Sequence, residues 1–333
     1  MSDHTPLLTR IAEALERLAV RHNYTLAFDR DAYAVSSSKL LSDRLIYENG
    51  IPAPRYYPNC KAPFVVKPSG FSGSEGVKRI ETKEEVELFL KTASPEEIWV
   101  AQEFLIGPSY SIEVVGEPGA YQTFEVTEIH MDSVYDCKKV TAPCSITGEQ
   151  EESFRQIAVK LAELLKLKGI MDVEVIDDGG MFKVLEIDAR IPSQTPTVVY
   201  HTTGANLVQE LVKLFCRGNA GDLSRRDLFG GDSESGERPA RQQDGLKRYC
   251  SYEHLLIEDG SVTEHGEHIM SGCGPLRLRE NFFGADEVIS DFAGGELPWR
   301  GTFINWADTE EALDAKRKNM RLRLLSGREG SEK

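Results

Sequence analysis

One hairpin in this sequence gathers acid. Side chains alternate along a strand, so Ile170, Asp172, Glu174 and Ile176 share a face of a strand expected over 170–177. Phe182, Val184, Glu186 and Asp188 share a face of a second strand expected over 181–188, and Asp178-Gly179-Gly180 closes the pair. Folding about that turn sets Glu174 opposite or diagonal to Glu186, within about 4.5–8 Å. Glu174, Glu186 and Asp188 then crowd one spot of an otherwise apolar hairpin. Such crowding raises carboxyl pKa values and destabilises a fold unless cations are near. Hard oxygen donors suit Mg²⁺, which is usually held by a few carboxylates together with substrate phosphates. Mn²⁺ accepts the same ligands. The same spacing also describes an edge hairpin with its polar face in water.

Three further stretches have chemical content. The first is Lys67-Pro68-Ser69-Gly70-Phe71-Ser72-Gly73-Ser74-Glu75-Gly76-Val77, which joins two strand-like runs. Its glycines let backbone N–H groups approach phosphate oxygens, and Lys67 could add a point charge to them. It is not a Walker A loop, since no Gly-Lys-Ser/Thr follows and no helix opens after it; a flexible hairpin loop is the alternative. The second is Gln102-Glu103-Phe104-Leu105, where a strand runs into Ile106-Gly107-Pro108. A strand-to-loop hinge of this kind offers backbone donors and acceptors to an adenine edge; an ordinary buried strand end is the alternative. The third is Arg190, two residues beyond Asp188 and followed by Ser193, Gln194 and Thr195. A guanidinium there would stabilise a carboxylate or its phosphorylated form.

Regular elements must carry these groups. Leu7, Ile11, Leu15 and Leu18 form a helical stripe over 7–20. Strands are expected near 24–28 and 33–35, and a helix from the Ser36-Ser37-Ser38 cluster to Asn49-Gly50. Strands follow at 64–67 and 77–80, then a helix over 83–91 opened by the Thr82/Glu85 capping box. Residues 98–104, 110–115 and 121–129 read as strands, 149–166 as an amphipathic helix, 249–257 as strand and 308–325 as a last helix. Residues 219–247, rich in Gly, Ser, Asp, Glu and Arg, read as a surface loop or disordered insertion.

The chain has 333 residues and a formal net charge of −15. That balance argues against nucleic-acid binding, which needs a basic face. No apolar run is long enough for a transmembrane helix, and the first residues do not read as a signal peptide. Six scattered cysteines without a C-x-x-C pair read as free thiols in a cytoplasmic protein. Cys137 reads as a packing or substrate contact, with no base in sequence to make it a nucleophile. Glu264-His265-Gly266-Glu267-His268 reads as a surface loop, and Lys316-Arg317-Lys318 as a solvated helix face.

The order of lysine and glycine loop, hinge, carboxylate strand, and carboxylate-x-carboxylate-x-Arg resembles the ATP-grasp superfamily of carboxylate–amine ligases, which phosphorylate a carboxylate with ATP and let an amine attack the acyl phosphate. The runs 130–141, 167–174, 186–200 and 249–255 are similar to the pyrrolysine-biosynthesis ligases within it, and the likeness covers roughly residues 20–325. Those enzymes join 3-methyl-D-ornithine to the ε-amine of L-lysine. The resemblance implies an α/β (α+β) ATP-grasp fold, with two α+β subdomains gripping ATP and a C-terminal β-rich segment. It implies that Lys39 and Lys67 hold phosphates, with Ser69, Gly70, Ser72 and Gly73 in the loop and residues 102–105 as the adenine hinge. The metal ligands it implies are Glu174, Glu186 and Asp188. It places the ornithine-type substrate against Ser111, Glu113, Asp188, Arg190, Ser193, Gln194 and Thr195, with Arg190 catalytic. Glu113 and Asp188 suit a diamino acid.

The matching divisions are 1–35 as the end of an N-terminal Rossmann-like domain, 36–218 as the ATP-grasp domain and 248–326 as the C-terminal part, with a tail at 327–333. Within the second, about 60–103 forms the lid and about 104–218 the large subdomain. Since such ligases carry a whole Rossmann-like domain, a misassigned start or a truncated copy is expected. Dimers are common in the superfamily, which implies a homodimer. A ligase for other amino acids and an inactive ATP-binding remnant are the alternatives.

Overall fold

The computed structural model describes residues 14–22, 25–71, 74–216, 247–294 and 297–327. Residues 14–22 are helical (α1); the rest of the helix expected over 7–20 lies outside the described residues, as do Ser72, Gly73, 219–246 and 328–333. Residues 25–28 form no strand, and the strand expected at 33–35 is instead a helix, α2 (Arg30–Ser36). The reason is Asp29: its Oδ1 accepts from the Ala32 N–H at 3.0 Å, an N-cap that starts a helix where the β-branched pattern is weak. Its other oxygen accepts from the Lys168 N–H at 2.7 Å and ties α2 to the larger sheet. Helix α3 (Lys39–Glu48) begins at Ser38, whose side chain accepts from the Leu41 N–H.

A small antiparallel sheet has the order β2-β1-β3, from β1 (Phe64–Pro68), β2 (Lys78–Ile80) and β3 (Trp99–Glu103). Helix α4 (Lys83–Thr92) covers it, opened by the reciprocal Thr82/Glu85 capping box and burying Val86 against Phe64, Val66 and Ala101.

Among the described residues, the second sheet has 11 strands. It begins with β4 (Ser109–Glu117), β5 (Ala120–Thr123), β6 (Thr127–Met131) and β7 (Cys137–Ala142). The strand expected over 121–129 is thus two, because β5 folds back on the end of β4 while β6 pairs with its start. After α5 (Gly148–Leu165) come β8 (Gly169–Asp177) and β9 (Phe182–Asp188), the acid-bearing hairpin. Helices α6 (Thr195–Thr203) and α7 (Leu207–Phe215) follow. The sheet is completed by β10 (Tyr249–Glu258), β11 (Ser261–Glu264), β12 (Arg277–Glu280), β13 (Glu287–Ser290) and β14 (Trp299–Ala307), and α8 (Glu310–Ser326) packs on this end.

Helix α5 buries Phe154, Ala158 and Leu161 against Tyr110, Ile112, Val173, Val175 and Val184. That leaves the opposite face of β4, β8 and β9 to the polar groups. The hairpin departs from simple alternation: Glu174 pairs with Glu186, but the next residue, Val175, pairs with Val184. Leu185 is the extra residue of a β-bulge, and a one-residue shift turns side chains to the other face. Phe182 and Val184 therefore join the core under α5 rather than sharing the face of Glu186 and Asp188. Arg317 of α8 also departs from its expected place in solvent, pairing with the fully buried Glu253 at 2.8 Å.

Candidate active site

A cavity of about 370 Å3 lies between the small sheet and the β8–β9 hairpin. Lys39, Lys67, Phe71, residues 102–107, Glu174, Leu185 and Glu186 line it. Phosphate-binding, hinge and metal-binding candidates from distant parts of the chain are thus brought into one space.

Lys39 sits in the first turn of α3. Its Nζ donates to Glu186 Oε1 at 3.0 Å and to the Phe71 carbonyl at 2.5 Å. Lys67 is the penultimate residue of β1 and is buried; its Nζ approaches the Leu185 carbonyl at 3.5 Å. Burial pushes the Lys67 ammonium below its ordinary pKa, while Asp43, Glu186 and Glu174 pull the other way. Ser69 turns its hydroxyl to the start of α3, where it accepts from the Leu40 N–H at 3.1 Å, and its carbonyl accepts from the Lys39 N–H at 3.0 Å. The loop and the helix that carry the two lysines are therefore one hydrogen-bonded unit. Gly70 follows in the turn.

The hinge candidates have fixed side chains. Gln102 Nε2 donates to Asp43 Oδ2 at 3.0 Å. Glu103 is buried between Arg55, at 2.9 Å, and Lys183, at 2.7 Å. Burial raises its pKa, but the hydrogen bonds from Lys183 and Arg55 outweigh that and hold the carboxyl below its ordinary value. The N–H groups of Glu103 and Phe104 donate to the Arg55 and Pro63 carbonyls at 2.8 and 2.9 Å. The main chain at Leu105 is the first of the hinge to leave this pairing, and it lines the cavity.

The acids stand on neighbouring strands. Ser111 pairs with Glu174 and Glu113 with Asp172 across β4 and β8; Glu174 pairs with Glu186 and Asp172 with Asp188 across β8 and β9. Burial, then repulsion from Glu186 and Asp188, pushes Glu174 up to about 7. Burial pushes Asp188 up to about 6 against the pull of Arg190, and raises Asp172 well above its ordinary value, helped by Glu174. Asp188 pairs with Arg190 at 2.5 Å, and Glu186 is held by Lys39. Among the described residues, no group of three or more His, Cys, Asp or Glu side chains is placed to hold a metal ion. The donor set nevertheless fits a hard cation: buried like charges at neighbouring positions are stabilised by one, and phosphate oxygens would complete its shell.

The substrate candidates lie farther along the same face. Ser111 and Glu113 are fully buried; the Ser111 hydroxyl has no hydrogen-bond partner, and the Glu113 carboxyl has only the Thr195 hydroxyl near it. Burial pushes Glu113 up to about 7. Arg190 and Ser193 are exposed, whereas Gln194 and Thr195 are buried at the start of α6. Gln194 Oε1 accepts from Cys137 Sγ at 3.0 Å.

Several groups escaped the sequence reading. Asp172 alternates with Glu174, so its place was visible and its part was not. Asp43 and Lys183, which fix the hinge side chains, are single charged residues in unremarkable helix and strand contexts, and no local pattern marks them.

An ATP-grasp domain model matches residues 36–194. The 3-methyl-D-ornithine–L-lysine ligase of Methanosarcina mazei is 33% identical over 320 residues, covering 96% of this chain and 76% of that protein. Its counterpart of the same name in Methanosarcina acetivorans is 36% identical over 295 residues, covering 88% and 72%. In fold, the chain is similar to a biotin carboxylase from Campylobacter jejuni, with a TM-score of 0.65 at 13% identity over 93% of this chain and 74% of that one. It is also similar to an L-amino acid ligase from Bacillus licheniformis, with a TM-score of 0.60 at 16% identity over 91% and 75%. The mixed α/β architecture is that of the ATP-grasp fold, and the chain belongs to the ATP-grasp family of ligases, in the group that contains these 3-methyl-D-ornithine–L-lysine ligases.

Proposed function

We propose that this chain joins 3-methyl-D-ornithine to the ε-amine of L-lysine at the expense of ATP, a step of pyrrolysine biosynthesis, and that the 370 Å3 cavity is its nucleotide site. The observation that carries this reading is the meeting of Lys39, Lys67, residues 102–105, Glu174 and Glu186 around that one cavity. Adenine would lie against the main chain at Leu105, and the phosphates would extend toward Lys39 and Lys67. Ser69 and Gly70 would line the phosphate side; Ser72 and Gly73, expected beside them, lie outside the described residues. In this division residues 60–103 act as the lid, 104–218 as the large subdomain and 248–326 as the C-terminal part.

Glu174, Glu186 and Asp188 would hold Mg²⁺, whose chemistry is to neutralise charge on the β- and γ-phosphates. The remaining work falls to the chain. A carboxylate oxygen of the ornithine-type substrate attacks the γ-phosphorus, the bond to the β-phosphate oxygen breaks, and ADP leaves. The lysine ε-amine then attacks the acyl carbon, loses a proton, and expels phosphate. No covalent enzyme nucleophile is required, so positioning and charge neutralisation carry the rate. Arg190 stands beside Asp188, where its guanidinium would face the carboxylate and the acyl phosphate made from it. Ser111, Glu113, Ser193, Gln194 and Thr195 would shape the substrate side. The six thiols, none in a disulfide, suit a cytoplasmic enzyme.

The test of the nucleotide site is titration calorimetry with Mg²⁺ and a non-hydrolysable ATP analogue. Lys67→Ala should weaken binding roughly 10- to 150-fold, as expected for a lost charge-assisted contact. Equal binding by wild type and Lys67→Ala would remove Lys67 from the phosphate site.

A further inference from the structure

The run 264–268 lies at the surface, with His268 exposed and Gly266 buried, and it touches the loop that follows Arg190. Glu267 opens a 3-10 turn (Glu267–Met270). Its Oε2 accepts from Gln194 Nε2 at 2.8 Å and from Ser193 Oγ at 3.3 Å. The C-terminal segment thereby reaches the loop that follows Arg190. Cys137 extends the chain of contacts through Gln194, and it stands within the field of both Glu174 and Glu267. Glu267 is therefore joined through Gln194 to Cys137 of β7.

The other carboxylates near Glu267 are spent on the fold. Asp136 Oδ2 accepts from the His268 N–H and contacts His268 Nδ1, both at 2.7 Å, and its Oδ1 accepts from the Cys137 N–H at 2.9 Å. Asp132 Oδ2 accepts from the Gly266 N–H at 3.0 Å, and its Oδ1 accepts from the N–H groups of Val134 and Asp136. Both hydrogen bonds to Glu267 fall on Oε2, so Oε1 keeps its capacity for a ligand.

A second observation points the same way. His254 of β10 is 2% exposed, and its Nδ1 is bonded to Thr302 Oγ1 at 2.9 Å. Nε2 has no partner, and the run that carries Glu267 packs on this strand, where the His265 N–H donates to the His254 carbonyl at 3.1 Å. With the proton on Nδ1, Nε2 is an acceptor. The ring of Tyr252 lies edge-on to His254 at 5.4 Å. A free carboxylate oxygen, a buried imidazole acceptor and an aromatic ring together recognise an alkylammonium group.

We propose that Glu267 binds the terminal ammonium of the amino acid whose carboxylate is phosphorylated at the Glu174 end, with His254 Nε2 as second acceptor. The ligand class is a diamino acid, and the assignment rests on the ligase reading above. It makes the C-terminal segment a source of substrate specificity rather than a mere support.

The experiment compares D-ornithine with D-norvaline, which lacks the terminal amine, by calorimetry and by ATP turnover with L-lysine. Wild type should prefer D-ornithine by roughly 10- to 100-fold. Glu267→Gln should erase that preference by weakening D-ornithine alone, leaving the KM for ATP unchanged. Glu267→Asp, which keeps the charge, should retain most of the preference. His254→Asn should lower it several-fold. An unaltered preference in Glu267→Gln overturns the assignment. So does equal weakening of both amino acids, which would mean that Glu267 only braces Gln194. A wild-type chain that neither binds D-ornithine nor turns over ATP with it overturns the ligase reading as well.

Discussion

At the scale of single residues, the site is a problem in buried charge. Glu174 and Asp188 have pKa values pushed up to about 7 and about 6, against 4.5 and 3.8 for the free side chains. Between those limits the folded state binds more protons than the unfolded one. These two groups therefore favour the fold below about pH 4, and that contribution is lost as pH rises through about 6 to 7. A cation that binds only the ionised forms acts in the opposite sense. The stabilisation by Mg²⁺ with nucleotide, read as a gain in Tm, should therefore grow from about pH 5.5 to about pH 8, where it corresponds to about 2.7 kcal/mol at 100 Kd. Differential scanning fluorimetry across that range checks it. A gain that does not vary with pH would mean the carboxylates are not the ligands.

At the scale of elements, the hinge is held by close backbone contact. A Cβ added at Gly107 would lie 2.0 Å from the Asp177 carbonyl oxygen, at the end of β8. Gly107→Ala must move the hinge or the hairpin turn, at a cost of about 1–3 kcal/mol. Since residues 104–107 line the cavity, its KM for ATP should rise on the order of tenfold or more. Steady-state kinetics test this, and an unchanged KM would separate the hinge from the nucleotide. Elements of this kind were partly legible from sequence. The Thr82/Glu85 cap and the Asp178-Gly179-Gly180 turn announce themselves through local chemistry, and both form as expected. The pairing of Glu174 with Glu186 followed from alternation. The bulge at Leu185 did not, because the extra residue has a common strand side chain and only the packing of Val184 under α5 reveals it. Likewise Tyr33–Val35 has strand propensity, yet the Asp29 cap and the burial of Ala32 and Ser36 decide for helix. Glu267 was hidden for a different reason: its partners lie 73 and 74 residues away in sequence.

At the scale of the molecule, the last helix, α8, is fastened to the large sheet by charge as well as by apolar packing. Glu253 of β10 is fully buried and accepts from Arg317 at 2.8 and 3.1 Å and from Arg321 at 2.5 Å. Glu253→Ala would strip both guanidinium groups of their buried partner and leave them Glu264, 2.5 Å from Arg321 and 3.7 Å from Arg317; breaking a buried pair outright costs about 3–5 kcal/mol. Denaturant unfolding should show a loss near the lower figure, because Arg321 keeps 28% exposure. A loss below about 1 kcal/mol would mean that the cluster contributes little.

The most direct measurement of the central claim is ADP release by the 333-residue chain with ATP, Mg²⁺, L-lysine and D-ornithine as a simpler stand-in for the methylated substrate, with the product identified by mass. The expected result is ADP release that needs both amino acids and yields ornithyl-lysine. ADP release supported by L-lysine without D-ornithine, or by both without the condensed product, would contradict it.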